Sequence, residues 1–187
     1  MQARHRRSLR LREYDYSQPG AYFVTICVRN RECLLGEIAA EKIRLSHYGE
    51  IARQCWVDLP NHYAQLALDI FSVMPNHIHG IIMLSDVGAG LKPAPTRAMV
   101  TKHALPEIIR GFKTFSSRRV NKLRKISSKP LWQRSFYEHV IRDDESLRRI
   151  REYIATNPLR WELDRENPQA SGKDEFDNWL NTFKTRP

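Results

Sequence analysis

The chain has 187 residues, 41% of them hydrophobic, with 31 Lys and Arg against 21 Asp and Glu and a net charge of +10. That is enough apolar material for one folded domain plus a tail, while 28% charged residues and 10 prolines argue against a coiled coil or a membrane-embedded chain. No stretch approaches the roughly 18 apolar residues of a membrane span and no apolar segment follows the basic start as in a signal peptide, so a cytoplasmic protein is expected. Residues 1–20 read as a basic arm, with Arg4, Arg6, Arg7, Arg10 and Arg12 and no acid before position 13. After the Pro19-Gly20 turn signal, residues 21–28 (AYFVTICV) are β-branched and aromatic and predict a central strand. Ser46 caps a helix of about three turns on which Ile51, Cys55 and Leu59 recur before Pro60. Residues 66–74 and 77–84 predict two strands joined by Pro75-Asn76, an unusual hairpin pair. Residues 85–105 read as a long irregular connection.

Pro106 then opens a helix to about Arg124, with Ile108, Phe112, Phe115 and Leu123 as its apolar stripe. Its other face is basic: Arg110, Lys113, Arg118, Arg119, Lys122, Arg124 and Lys125 fall within sixteen residues without an acid. Outside this helix and the arm, the chain has 19 basic against 21 acidic residues, so the excess charge is localised and favours a polyanion partner. Residues 132–141 predict another strand, and Asp143-Asp144-Glu145 the acidic start of a helix ending near Asn157, before Pro158. The order is β-α-β-β-α-β followed by an extra helix, which predicts an α+β, ferredoxin-like, mainly antiparallel sheet. We divide the chain into the arm at 1–20, a domain at 21–163, and a tail at 164–187 with a short amphipathic helix around Phe176, Trp179, Leu180 and Phe183. Cys27, Cys33 and Cys55, odd in number and without a C-x-x-C, suggest neither disulfides nor a thiolate zinc site.

His77 and His79 flank Ile78 on a strand, so both imidazoles point to one face, a geometry that suits a divalent cation. Gly80 beside them leaves room for a ligand or another backbone. The pair alone also fits two solvated histidines on an exposed sheet face. On the last helix, Leu147, Ile150 and Ile154 mark the buried stripe, and Tyr153 and Asn157 share its edge one turn apart. Packed across the sheet, that helix would bring Asn157 to the metal and Tyr153 to a substrate phosphate. Tyr137 and His139 alternate on the last strand and make a second phenol candidate.

The segments FSVMPNHIHGIIML (71–84), YFVTICVRNR (22–31) and LWQRSFYEHVIRDDESLRRIREYIATNP (131–158) together resemble the single-tyrosine HUH transposases, in particular the REP-associated tyrosine transposases. The resemblance spans about residues 12–163 and rests on M-P-N-H-x-H-G followed by Y-x-x-x-N-P. It implies that His77 and His79 ligate Mg²⁺ or Mn²⁺, with Asn157 as third ligand where many relatives carry the longer Gln. It implies Tyr153 as the nucleophile that forms a 5′-phosphotyrosine on single-stranded DNA beside a hairpin. The basic helix and arm, with Arg29 and Arg31, would then grip DNA phosphates. Trp132, Phe136 or Tyr14 would stack an unpaired base or serve the core. A homodimer is implied by the insertion-sequence relatives, and a monomer if the tail docks on its own chain. Two alternatives stay open: a non-catalytic hairpin-binding module, and a zinc hydrolase, for which no third His or Cys ligand is evident.

Overall fold

The computed structural model describes residues 14–86, 102–127, 129–172 and 174–182. The strand rich in β-branched and aromatic residues forms β1 (Gly20–Cys27), paired on both edges and buried along nearly its whole length because both faces of the sheet are covered. One partner is β5 (His77–Leu84), itself paired with β4 (Leu66–Val73), and the other is β6 (Tyr137–Ile141). The sheet order is β4-β5-β1-β6 with every neighbour antiparallel, as the β-α-β-β-α-β pattern requires. The β4–β5 connection is one residue longer than predicted: β4 stops at Val73, and Met74, whose N–H donates to the His77 carbonyl at 2.8 Å, joins Pro75 and Asn76 in the turn.

Between β1 and the first helix lies a small hairpin that the sequence did not announce, β2 (Gly36–Ala39) and β3 (Lys42–Leu45). Its two turn residues, Ala40 and Glu41, both adopt left-handed backbone (φ 50° and 59°), a turn ordinarily signalled by Asn-Gly. Helix α1 (His47–Val57) starts where predicted, with the Ser46 hydroxyl accepting from the Gly49 N–H at 3.2 Å, and one further turn, α2 (Leu59–His62), carries Pro60. Helix α3 (Leu105–Arg124) ends at Lys125 in left-handed conformation. Its buried stripe runs through Ile108, Ile109, Phe112, Ser116 and Val120, while Phe115 and Leu123 are about half exposed. Ser116 belongs to the stripe because its hydroxyl donates to the Phe112 carbonyl and accepts from Trp132 Nε1 at 2.8 Å. Trp132 and Phe136 are accordingly buried, and the strand predicted from 132 forms its ladder only from Tyr137, with Trp132 in an isolated bridge to Val28.

Helix α4 (Asp144–Thr156) is capped by Asp143, whose carboxylate accepts from the Ser146 N–H at 2.7 Å. An Arg151–Asp69 ion pair (2.6 Å) ties it to β4. A 3₁₀ turn over Asn157–Leu163 follows, and then α5 (Glu175–Thr182). The alternation of β1 and β5 sorts the core into two layers. Tyr22, Val24, Ile26, Ile78 and Ile82 face α1 and α3, with Trp56 and Phe112. Phe23 and Ile81 face the other way, against Ile150, Tyr153 and Ile154 of α4 and Phe176 and Leu180 of α5. Gly80 belongs to the first layer: a Cβ there would lie 2.6 Å from the Trp56 ring, so the glycine admits a core tryptophan and not a ligand. All three cysteines are free, Cys27 and Cys55 being buried. Residues 1–13 with their five arginines, most of the 85–105 connection, and Phe183 lie outside the described residues.

Candidate active site

The ladder sets His79 opposite Thr25 and His77 opposite Cys27, on the sheet face covered by α4. Both imidazoles are buried, at 0% and 1% exposure, which removes the reading of two solvated histidines. Each is oriented through Nδ1: His79 by the Thr25 hydroxyl (2.9 Å) and His77 by Asn76 Oδ1 (2.8 Å). Their rings sit 4.3 Å apart with both Nε2 atoms turned inward. Helix α4 brings Tyr153 to them, its hydroxyl 3.2 Å from His79 Nε2. One turn later, Asn157 is fully buried at the helix end.

The group that completes the cluster is Asp164, at the end of the 3₁₀ turn. Its Oδ2 lies 3.7 Å from His77 Nε2 and 3.8 Å from His79 Nε2, accepts from Asn157 Nδ2 at 2.8 Å, and stands 3.5 Å from the Tyr153 hydroxyl. Its Oδ1 accepts from the Glu166 N–H at 2.7 Å. Nothing in the local pattern marks Asp164, which follows the tyrosine by eleven residues and falls in the segment read as tail. It adds a carboxylate that could serve as a ligand beside the two histidines and Asn157, the third ligand that the resemblance implies. Tyr137 shares this sheet face but lies under the Arg165 guanidinium, 5.0 Å from its ring centre, and burial pushes its phenol up to about 12. His139 sits by Trp179 instead.

Burial, and next Asp164, pushes the Tyr153 phenol well above its ordinary range, so with no cation it holds its proton. Burial, reinforced by His79, lowers His77 and keeps it neutral. Burial raises the Asp164 carboxyl, but contact with His79 and the hydrogen bond from the Asn157 amide act against it, and the group stays ionised. His77, His79 and Asp164 place their ligand atoms within 4.8 Å of one another. Beside them His77 Nε2 and Asn157 Oδ1 are buried without a hydrogen-bond partner. Neutral imidazole, carboxylate and amide oxygen suit a divalent cation, and filling the cluster would satisfy both orphaned atoms. The Tyr153 ring is stacked face to face on Phe176 of α5 (3.8 Å between centres), leaving it 3% exposed.

The basic residues divide. Arg110, Lys113, Arg118 and Lys122, with Lys129 and Arg134, line a groove of about 1220 Å³ between α3 and the segment before β6. This helix packs on the sheet face opposite His77 and His79. Lys113 Nζ is engaged with the Gln133 and Ser135 carbonyls (3.0 and 2.8 Å). Arg119 turns away to Cys55 of α1. Arg29 and Arg31 stand on an exposed 3₁₀ turn after β1, and Arg31 pairs with Glu166 at 3.0 Å.

No family model matches the chain. It is 39% identical over 167 residues to a Haemophilus influenzae protein whose name records no function, covering 86% of this chain and 92% of that one. It is 30% identical over 149 residues, 78% of this chain and 74% of the relative, to a second protein of that organism, named as a candidate REP-associated tyrosine transposase. The fold is also that of a REP-associated tyrosine transposase solved bound to a REP hairpin: TM-score 0.58, 22% identity, covering 81% of this chain and 73% of that one. On the sequence relationship and the shared fold, this chain belongs to the REP-associated tyrosine transposase family.

Proposed function

We propose that the protein is a metal-dependent DNA strand transferase that cuts single-stranded DNA beside a hairpin through a covalent 5′-phosphotyrosine on Tyr153. The observation that carries this reading is the Tyr153 hydroxyl, 3.2 Å from His79 in a buried His-His-Asp-Asn cluster on a family member's fold. His77, His79 and Asp164, with Asn157 Oδ1 beside them, would hold Mg²⁺ or Mn²⁺. When bound, the cation supplies polarisation of the scissile phosphate and stabilises charge in the transition state. Tyr153 Oη forms the new bond to phosphorus in line, and the 3′ oxygen leaves and is protonated to a 3′-OH. The proton that the phenol loses on attack balances the one that the departing 3′ oxygen takes up, and Asp164 stays ionised as a ligand of the cation. Because one ester is exchanged for another, the tyrosyl ester can be resealed onto a new 3′-OH without ATP.

The hairpin bound by the solved relative is the substrate class we assign to this chain. Its stem phosphates would lie along the α3 groove on Arg110, Lys113, Arg118 and Lys122, with Arg29, Arg31, Arg119 and the five arginines of the arm adding charge. One observation favours a second reading, a hairpin-binding module without turnover: Phe176 covers the Tyr153 ring. Incubation with labelled single-stranded hairpins from the flanks of its own gene, with Mn²⁺ or EDTA, decides. The strand transferase gives a denaturation-resistant protein–DNA adduct that requires metal and is absent in Tyr153→Phe. Tight binding with no adduct under any metal gives the module.

A further inference from the structure

Asn76, in the turn before β5, is fully buried and engages every polar atom of its side chain. Nδ2 donates to the carbonyl oxygens of Arg31 (3.1 Å) and Glu166 (2.6 Å), and Oδ1 faces His77 Nδ1 at 2.8 Å. Its orientation follows from the partners. Two carbonyl oxygens only accept, so the amide nitrogen must face them and the amide oxygen must face the imidazole. His77 Nδ1 therefore carries the hydrogen, and Nε2 is a bare lone pair turned toward Asp164. Thr25, which faces His79, imposes no such choice, because a hydroxyl donates or accepts. The same Asn76 Nδ2 holds the Glu166 carbonyl, while the Glu166 N–H holds Asp164 Oδ1 at 2.7 Å. One carboxamide thus touches the ring that offers a lone pair and the turn that presents the carboxylate.

Resting on the cation-site reading above, we infer that Asn76 is the positioning residue of that site: it locks His77 as the Nδ1–H tautomer and ties the 164–166 turn to it. A side chain that merely closed the β4–β5 turn would affect stability and leave both the tautomer and metal affinity unmoved. Two measurements test this. Long-range ¹H–¹⁵N correlation on the unmodified, metal-free full-length chain reads the His77 tautomer directly, with Nδ1–H expected. Calorimetric Mn²⁺ titration, with a thermal melt for each protein, compares it with Asn76→Ala and Asn76→Asp. The alanine variant is expected to lose about 10- to 100-fold in Mn²⁺ affinity, as outer-shell partners of ligating histidines do. The aspartate variant, which keeps an acceptor on Nδ1 but loses the donor to Glu166, is expected to fall between.

An Nε2–H His77, or Mn²⁺ affinity in both folded variants equal to that of the unmodified chain, overturns the assignment. If the variants do not fold, the tautomer in the unmodified chain decides alone. Failure of the unmodified chain to take up Mn²⁺ would instead sink the cation site itself, and is told apart because it needs no variant.

Discussion

Gly80 separates two accounts of the strand that bears the histidines, and Gly80→Ala tests them. In the structure its missing side chain is filled by the core. An added Cβ would lie 2.6 Å from one Trp56 ring carbon, 3.2 Å from another and 3.1 Å from Phe71 Cβ. Trp56 is fully buried and edge-on to Phe112 at 5.3 Å, so no flexible end can swing aside. Overpacking of this kind costs about 1–3 kcal/mol. In a domain of this size each kcal/mol lowers Tm by about 2–4 °C, so a drop of about 2–12 °C is expected. Because the strain falls on the face opposite His77 and His79, Mn²⁺ affinity of the folded variant should change by less than about threefold, well short of the 10-fold loss expected of a change in the ligand shell. Differential scanning calorimetry with and without Mn²⁺ reads both quantities. An unchanged Tm with lost Mn²⁺ or DNA binding would refute the reasoning and return Gly80 to the ligand side.

Three further outcomes are expected. Burial, with Arg142 adding to it, lowers His139 from 6.5 to about 4 in the folded protein. The unfolded chain therefore takes up this proton first, and the stability involved is complete above pH 6.5 and lost as pH falls toward 4, by about 2–3 kcal/mol. His77 acts in the same direction, so His139→Gln should flatten, not abolish, the acid slope in urea melts between pH 7 and 4, and an unaltered slope would contradict it. Asp164→Asn keeps an acceptor for the Glu166 N–H but removes the anion between the histidines. A loss of about 100-fold in Mn²⁺ affinity is expected by titration, and unchanged affinity would exclude Asp164 from the ligand set. Arg118→Ala with Lys122→Ala should weaken hairpin binding and lower the slope of log K against log salt by about 1–2. An identical slope would place the phosphates elsewhere than the α3 groove.

Much of the fold was legible because it is written in local periodicity. β1 is continuous in β-branched and aromatic residues, Ser46 and Asp143 are capping side chains, and Pro106 marks a first turn. The β2–β3 hairpin was not legible, because Ala40 and Glu41 carry no turn signature and adopt left-handed backbone under tertiary constraint. On α3 the apolar pattern points to Phe115 and Leu123, yet both stay about half exposed, because hydrophobicity alone does not choose the buried face. Ser116, a polar residue satisfied by Phe112 and Trp132, occupies it instead.

The candidate site divides the same way. Sequence alone determined that His77 and His79 share a face and that Tyr153 and Asn157 share a helix edge, since strand and helix periods are fixed by backbone geometry. It also determined that the positive charge is concentrated in two segments. Only the tertiary structure decided that these two pairs meet, through the crossing of α4 over β5, and that the α3 charges lie on the other side of the sheet. Asp164 and Asn76 were decided there too. Their roles rest on contacts to residues distant in the chain, and no local spacing encodes such a contact, because it is the folded core that sets it.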